Sequence, residues 1–177
     1  MAFQAMGYWP IIHTDLWRPE HFDLTELLIN IGVSRAVDVF VDIYVSPDQK
    51  NVSRRMIHVD QGSLGLGASA RDYYLNVTRY AKQVIAYQNY ITQKVLLIAE
   101  DAGLPKKVED IIDQIDEIVE FEKALAEIMI SEDQRRNYTK LYNVHKLSEL
   151  GKLFPLVSGK KFLTPAQVFH IIPYIVE

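Results

Sequence analysis

Two long stretches of the sequence repeat apolar residues every three or four positions, and this periodicity constrains the fold more than any other feature. The first covers residues 70 to about 102, and the second covers residues 108 to about 130. At a rise of ~1.5 Å per residue, the first stretch predicts an amphipathic helix of about 45 Å. A Gly-Leu-Pro segment at residues 103–105 separates the stretches and favours a tight turn, so we expect two antiparallel helices. The apolar stripe of the first helix comprises Tyr73, Val77, Tyr80, Val84, Tyr87, Ile91, Val95 and Ile98.

The segment before these helices has the two-residue period of β-strands. Apolar residues alternate with other side chains over residues 37–45 and again around residues 55–60, and a turn-forming segment at residues 46–51 separates them. We therefore expect one β-hairpin. Shorter helices are expected at residues 21–31 (ending at Gly32), 131–142 and 147–154, and from Thr164 onward. The predicted fold class is mainly α, with long antiparallel amphipathic helices and one β-hairpin, in a single unit over residues 1–177.

Composition and charge exclude several classes of function. The chain is 49% hydrophobic and 24% charged, which is typical of a folded soluble protein. Its net charge is -4 without a concentrated basic block, so we expect no nucleic-acid partner. Cysteine is absent, which excludes disulfides and thiolate metal sites. No signal peptide or segment of ~20 apolar residues is present, so we expect no membrane contact by this segment.

The sequence motifs do not form a catalytic site. The five histidines (His13, His21, His58, His145 and His170) include no H-E-x-x-H pair, in which two imidazoles one helical turn apart hold zinc. The glycine-rich segment at residues 61–67 matches neither a dinucleotide-binding motif nor a P-loop, and a turn is the better interpretation. No nucleophile elbow is present. We therefore assign no catalytic, cofactor-binding or metal-binding residue to this chain.

Glu122 stands out because it lies within the apolar stripe of the second long helix. A carboxylate at such a position needs a partner, since its burial without one is costly. The structural interpretation is a salt bridge or capping contact with Arg71, Arg135 or Arg136. The functional interpretation is a metal or acid–base carboxylate in a helical bundle, but the Glu-x-x-His pairs of such a site are missing. We therefore expect Glu122 to be a structural buried carboxylate.

Three N-x-S/T sequons are possible glycosylation sites, and they begin at Asn51, Asn76 and Asn137. Asn51 lies in the predicted hairpin turn, where we expect it to be exposed. It is therefore the preferred glycan acceptor if the chain is secreted. Asn76 and Asn137 lie on predicted helices, which makes them weaker candidates.

Six short motifs occur in the order in which they are found in the neprilysin family. The N-terminal ones are Gly-Tyr-Trp-Pro at residues 7–10 with Trp17, Asp-x-Lys-Asn at 48–51 before a strand ending in Asp-Gln at 60–61, and Leu-Gly-Leu at 64–66. The others are Arg-Asp-Tyr-Tyr at 71–74, Phe-Glu-x-x-Leu-Ala at 121–126, and Arg-Arg at 135–136 with Tyr-Asn at 142–143. The chain therefore resembles the N-terminal, non-catalytic region of neprilysin-type zinc metalloendopeptidases.

The resemblance implies a place in a larger, two-lobed enzyme. In this family one lobe binds zinc through H-E-x-x-H and a downstream glutamate, and a helical lid lobe restricts the enclosed chamber to peptides. The resemblance assigns this chain to the lid lobe, with the catalytic lobe as its partner and peptides as substrates. It also implies zinc in the full-length parent but not in this chain. An extracellular or membrane-anchored location is implied as well.

Two hypotheses about function follow from the resemblance. In the first, the chain is a fragment of a metalloendopeptidase, forms part of its substrate chamber and is inactive by itself. In the second, it is a stand-alone, non-catalytic peptide-binding or interaction protein derived from that family, an alternative suggested by Met1 lying just before the first motif.

Overall fold

The computed structural model describes residues 6–67, 69–146, 149 and 152. The elements in chain order are α1 (Leu24–Arg35), β1 (Val41–Asp48), β2 (Asn51–Gln61), α2 (Arg71–Leu75), α3 (Val77–Asp101), α4 (Val108–Ile128), α5 (Glu132–Arg135) and α6 (Tyr138–Leu141), preceded by a 3-10 turn at Pro19–His21. Long helices and a single hairpin confirm the predicted fold class, which is mainly α.

The chain forms two compact units that are discontinuous in sequence. The first unit contains the residues up to Phe22 together with Leu64–Arg136. The second unit contains Asp23–Ser63 and the residues from Asn137 onward. The long helices therefore belong to the first unit, and the hairpin with α1 and α6 belongs to the second.

The first unit is built around α3 and α4. Near the loop that joins them, Val95 and Ala99 of α3 share one buried cluster with Ile111 and Ile115 of α4. The end of α3 thus packs on the start of α4, as the predicted antiparallel arrangement requires. A second cluster, farther from the loop, contains Leu64, Ala70, Tyr74, Val119 and Ala126. Burial of these apolar side chains is the main stabilising contribution to the unit.

The first long helix is interrupted, which corrects the prediction of one continuous helix over residues 70–102. The chain leaves helical geometry at Asn76 (φ -108°, ψ 70°), and α2 ends one residue before it. The side-chain oxygen of Asn76 accepts a hydrogen bond of 3.1 Å from the backbone amide of Arg79, so Asn76 is the N-cap of α3. Asparagine competes for backbone hydrogen bonds in this way, which favours a cap over a helix interior.

The same interruption changes which tyrosine faces the core. The continuous stripe placed Tyr73 inward, but Tyr74 is the buried residue of α2, with only 1% of its surface exposed. The phase of a helical stripe cannot be extended across a break, because each helix starts with its own rotation. This error concealed a residue that contacts Glu122.

In the second unit, α1 begins and ends later than predicted. Asp23 caps its start, because one carboxylate oxygen accepts hydrogen bonds from Thr25 N (2.8 Å) and Glu26 N (3.1 Å). The helix continues past Gly32 to Arg35, and the C-cap residue Ala36 has a left-handed backbone (φ 52°). The cap, rather than the apolar periodicity, determines where this helix begins.

The predicted hairpin is present, but both strands are longer toward the turn. β1 pairs antiparallel with β2 from Val41 opposite Gln61 to Asp48 opposite Asn51, with an irregularity between Pro47 and Asp48. The turn is therefore reduced to two residues, 49 and 50, instead of the predicted segment 46–51. Backbone pairing extends the strands because it satisfies amide and carbonyl groups next to the turn.

The predicted short helix at residues 131–142 is two separate helical turns, α5 and α6. Asn137 divides them and caps α6, with its side-chain oxygen accepting a hydrogen bond of 3.2 Å from Lys140 N. The helices predicted at residues 147–154 and from Thr164 lie outside the described residues, apart from residues 149 and 152.

Candidate functional site

In the first unit, the Glu122 carboxylate joins the glycine-rich segment to α2, α3 and α4. One oxygen accepts hydrogen bonds from Gly65 N (2.8 Å) and the Tyr87 hydroxyl (3.3 Å), and the other accepts from the Tyr74 hydroxyl (2.9 Å). Glu122 is partly buried, and Tyr74 also accepts a hydrogen bond from Leu66 N (3.1 Å). The contacts connect three motifs that lie up to 57 residues apart in sequence.

The electrostatics of this network keep the two tyrosines as hydrogen-bond donors. Burial raises the pKa of Tyr74 and of Tyr87, and the negative charge of Glu122 raises both further. Deprotonation of either phenol would place a second negative charge beside the carboxylate in a poorly hydrated site. The two tyrosines therefore form no reactive phenolate, and the hydrogen bonds to Glu122 act as a structural connection.

The donors to Glu122 differ from the arginine that the sequence analysis expected. Arg71 donates instead to the Met129 carbonyl oxygen (3.0 Å), beyond the end of α4, and to the Asp72 carboxylate (3.1 Å). The break before α3 turns Tyr74 toward the core and so supplies a hydroxyl where a cation was predicted. Neutral donors avoid the burial of a second charge.

A side chain at residue 65 would fit only if the ends of the Tyr87 and Glu122 side chains moved, which would disturb their hydrogen bonds. A Cβ atom there would overlap the Tyr87 hydroxyl and lie 2.6 Å from the nearer Glu122 oxygen. The turn predicted for this segment is confirmed, but no local sequence pattern gave a reason for glycine at this residue. The close approach of loop and carboxylate is a property of the tertiary structure alone.

A second network surrounds Asp48 in the second unit. This side chain is buried, and its first oxygen accepts hydrogen bonds from Lys50 N (2.9 Å) and the Tyr142 hydroxyl (2.9 Å). Arg54 binds the second oxygen through two guanidinium nitrogens, with Nε at 3.1 Å. The Lys50 ammonium lies 4.0 Å above the Tyr142 ring, a cation–π contact.

The Asp48 network connects two motifs that the sequence analysis treated separately. Asp48 and Lys50 belong to the Asp-x-Lys-Asn turn, and Tyr142 belongs to the Tyr-Asn step 94 residues later. Sequence reasoning missed this network because no local pattern indicates which distant residues meet. The sequence contains one indication of this network, because Asp48 and Tyr142 each lie within a family motif that lacks the spacing of a catalytic site.

The stability of the second unit should depend on the charge of Asp48 down to strongly acidic pH. The Lys50 backbone amide, followed by Arg54, lowers the pKa of Asp48 from 3.8 to about 2. The folded pKa lies below the unfolded one, so this stabilisation is complete above pH 3.8 and decreases as the pH falls toward about 2.

Chemical denaturation at a series of pH values tests this dependence. The difference in unfolding free energy between the parent protein and Asp48→Asn should be largest above pH 3.8 and shrink as the pH approaches 2. Asp113→Asn is the matched control on an exposed residue and should change stability at neutral pH by less than ~0.5 kcal/mol. A difference for Asp48→Asn that stays constant across this range would contradict the assignment.

The described histidines do not fit a zinc site. His13 contacts Tyr8 with the two rings tilted (5.3 Å between ring centroids), and His58 stacks on Tyr44 (5.1 Å). His145 faces the Glu149 carboxylate at 3.7 Å, and His170 lies outside the described residues. Among the described residues, no group of three or more His, Cys, Asp or Glu could hold a metal ion.

All three sequon asparagines are exposed, and each uses its side-chain oxygen in a local hydrogen bond. Asn51 accepts from Ser53 N (3.2 Å) at the start of β2. Asn76 and Asn137 were predicted to lie on helices, and this is wrong because both are N-cap residues that precede a helix. No helix in the described part of the chain has the length and apolar character needed to cross a membrane.

Comparison with known proteins gives a consistent family assignment. Neprilysin-1 of Caenorhabditis elegans is 46% identical over 172 residues, which cover 97% of this chain and 23% of that protein. Neprilysin-11 of the same organism is 36% identical over 169 residues, covering 94% and 20%. Endothelin-converting enzyme 1 of Homo sapiens is 33% identical over 180 residues, covering 98% and 22%.

The chain thus spans less than a quarter of the length of these curated relatives. The sequence model for the N-terminal part of peptidase family M13 matches residues 3–174, nearly the whole chain. This match confirms the resemblance drawn from the six motifs. The chain belongs to peptidase family M13, of which it represents the neprilysin-type N-terminal region.

Proposed function

We propose that this chain forms part of the substrate chamber of a neprilysin-like zinc metalloendopeptidase and takes part in proteolysis of peptides. The observation that carries the proposal is the family match over residues 3–174, supported by relatives named as neprilysins and endothelin-converting enzymes. In this proposal the zinc ion, its ligands and the catalytic glutamate belong to the rest of the parent protein. The described residues contribute shape and support.

The contacts in the two units support a structural role for the motif residues. Glu122 and Asp48 are each held by three donor residues through hydrogen bonds, and those donors belong mostly to the family motifs. A charged group committed to so many donors is poorly suited to bind substrate or transfer protons. The chamber-forming role requires rigid walls, which such networks provide.

Exposed apolar side chains on α4 support the proposal that a further part of the protein covers this helix. Phe121 and Ile128 are 54% and 79% exposed, and their seven-residue spacing places them on one side of the helix. Exposed apolar groups of this kind mark surfaces that contact other protein segments. We propose that the partner is the catalytic lobe, and that the whole chain acts as one region of a two-lobed enzyme.

The proposal includes an extracellular or membrane-anchored location, because the same family assignment underlies it. Peptides outside the cell would then be the substrates. We infer that the lid-like region admits peptides and excludes folded proteins, since entry to an enclosed chamber depends on size.

Peptide hydrolysis by the whole parent protein tests the function. We expect cleavage of a fluorogenic peptide, loss of cleavage on zinc chelation and recovery on addition of zinc. The same peptide sequence placed inside a folded protein should be cleaved at least tenfold more slowly. Phe121→Lys should lower peptide hydrolysis without changing the zinc content, whereas Ile112→Lys, on a different side of α4, should have little effect.

Three outcomes would overturn the proposal. A parent protein that lacks an H-E-x-x-H site or retains no zinc would exclude the peptidase function. Equal cleavage of folded and unfolded substrates would exclude the chamber role. A 177-residue chain that unfolds cooperatively, remains monodisperse and binds peptides by itself would favour the stand-alone binding protein instead.

A further inference from the structure

The outer side of α3 carries large apolar side chains, although it faces away from the core. Thr92, Val95 and Ala99 are the buried residues of this helix. On the opposite side, Tyr90 and Leu97 lie two helical turns apart and are 57% and 52% exposed. The outer side of a solvated helix normally has polar residues, so a second apolar side indicates a contact with another element.

The exposed residues on this side have the spacing of a surface that packs against a second helix. They follow one another at alternating intervals of three and four residues, and we call them the outer row: Gln83, Ala86, Tyr90, Gln93 and Leu97. All five are exposed. Their average period of about 3.5 residues is the one at which two helices pack along their length. The small side chain of Ala86 also permits a close approach. A helix is therefore the shape that fits the outer row.

The charges beside the outer row are all positive over most of its length. Lys82 and Lys94 flank the row, and both are exposed. The Lys94 ammonium lies 5.3 Å from the centroid of the Tyr90 ring, which places its charge next to the apolar contact. α3 has no acidic residue before Glu100, so neither lysine has a carboxylate within one turn of its own helix. Residues in these flanking positions pair with opposite charges on the partner helix.

We propose that the outer row binds an acidic amphipathic helix in the part of the parent protein outside this chain. The inference rests on the proposed function, in which this chain is one region of a larger enzyme. The match covers less than a quarter of each curated relative, so most of such a parent is available to supply the helix. A partner in the same polypeptide also has a high effective concentration. The competing partner is α4 of a second copy, which contains eight acidic residues and one lysine.

Carbodiimide cross-linking of the whole parent protein identifies the partner. The reagent joins a carboxylate to a lysine amine as an amide with loss of water, so it links only groups in contact. We expect Lys82 or Lys94 to be linked to aspartates or glutamates spaced three or four residues apart elsewhere in the same polypeptide. A mixture of light and heavy isotope-labelled protein distinguishes links within one molecule from links between two. A link to α4 of a second copy, or to a carboxylate within residues 1–177, would overturn the proposal.

Hydroxyl-radical footprinting of the same protein measures whether the outer row is covered. Lys82→Glu places like charges together, so Tyr90 and Leu97 should be oxidised several-fold faster than in the parent. Lys82→Arg keeps the charge and should leave both oxidation rates unchanged. Lys140→Glu reverses one charge on an exposed residue of α6 and is the matched control, for which we expect no change either. Lys82 is exposed, so circular dichroism should show the same helix content in all variants.

Peptide hydrolysis by the same preparations separates failure of this inference from failure of the proposed function. A zinc-dependent peptidase that shows no link at either lysine, and equal oxidation of Tyr90 and Leu97 in the parent and in Lys82→Glu, would overturn the helix contact and leave the function intact. A protein that gives the expected links but hydrolyses no peptide would support the helix contact and overturn the function.

Discussion

Replacement of Glu122 by alanine should lower the free energy of unfolding by about 3 kcal/mol. The substitution removes the acceptor of two tyrosine hydroxyls and of the Gly65 amide, which lie 2.8 to 3.3 Å from its oxygens. A buried donor left without an acceptor costs about 1–3 kcal/mol, and full burial of Tyr74 limits its access to water. The loss should therefore exceed the usual effect of a substitution on a helix surface.

Equilibrium denaturation of a graded series checks this expectation. Glu122→Gln keeps one acceptor oxygen and should cost about 1 kcal/mol, because one tyrosine must then rotate to accept a hydrogen bond. Glu120→Ala is the control on the same helix, since Glu120 is 70% exposed and forms a surface ion pair with Lys123. It should change stability by less than ~0.5 kcal/mol. Equal losses for Glu122→Ala and Glu120→Ala would refute the role of the network.

Gly62→Ala should destabilise the second unit by about 3 kcal/mol. A Cβ atom at this residue would lie 2.7 Å from the Val39 carbonyl carbon and 2.8 Å from that of Phe40, and would also overlap the Val39 oxygen. These are backbone atoms, which cannot move aside by a change of rotamer. The Gly62 amide also donates to the Phe40 carbonyl oxygen (3.1 Å), so displacement would weaken this bond.

Gly32→Ala is the matched control for this substitution because it adds the same methyl group in the same unit. Nothing lies within 4 Å of a Cβ atom at Gly32, and the residue is inside α1. Alanine is favoured over glycine in a helix by up to about 1 kcal/mol, so stability should rise. Thermal denaturation of both variants measures the contrast. A Gly62→Ala protein as stable as the parent would contradict this prediction, because it would show that residue 62 can move away from Val39 and Phe40 without loss of stability.

The two networks explain why particular residue types occur in the motifs that identify this family. Gly65, Tyr74 and Glu122 come from three motifs and meet in one hydrogen-bonded group. Asp48 and Tyr142 come from two others and meet in the second group. These residue types are required by specific contacts in the folded state. The motifs are therefore evidence of a shared fold.

The fold class, the family and the approximate positions of the long helices and the hairpin could be predicted from the amino-acid sequence. Apolar periods of 3.6 and 2 residues indicate which face of a helix or strand is buried. These elements can therefore be predicted without knowledge of the tertiary contacts. The same periodicity singled out Glu122 as a carboxylate that needs a partner. No zinc-binding or nucleophile motif occurs in the sequence. The assignment of no catalytic or metal-binding residue to this chain stays a prediction.

The partners of Glu122, the break at Asn76 and the network around Asp48 became known from the folded structure. A break at a capping asparagine depends on one local hydrogen bond. Because the break separates α2 from α3, the two helices have independent rotations, and Tyr74 rather than Tyr73 is the buried residue of α2. The donors to the two carboxylates are up to 94 residues distant in sequence. Local propensities act over a few residues, whereas the positions of such donors are set by packing of the whole unit.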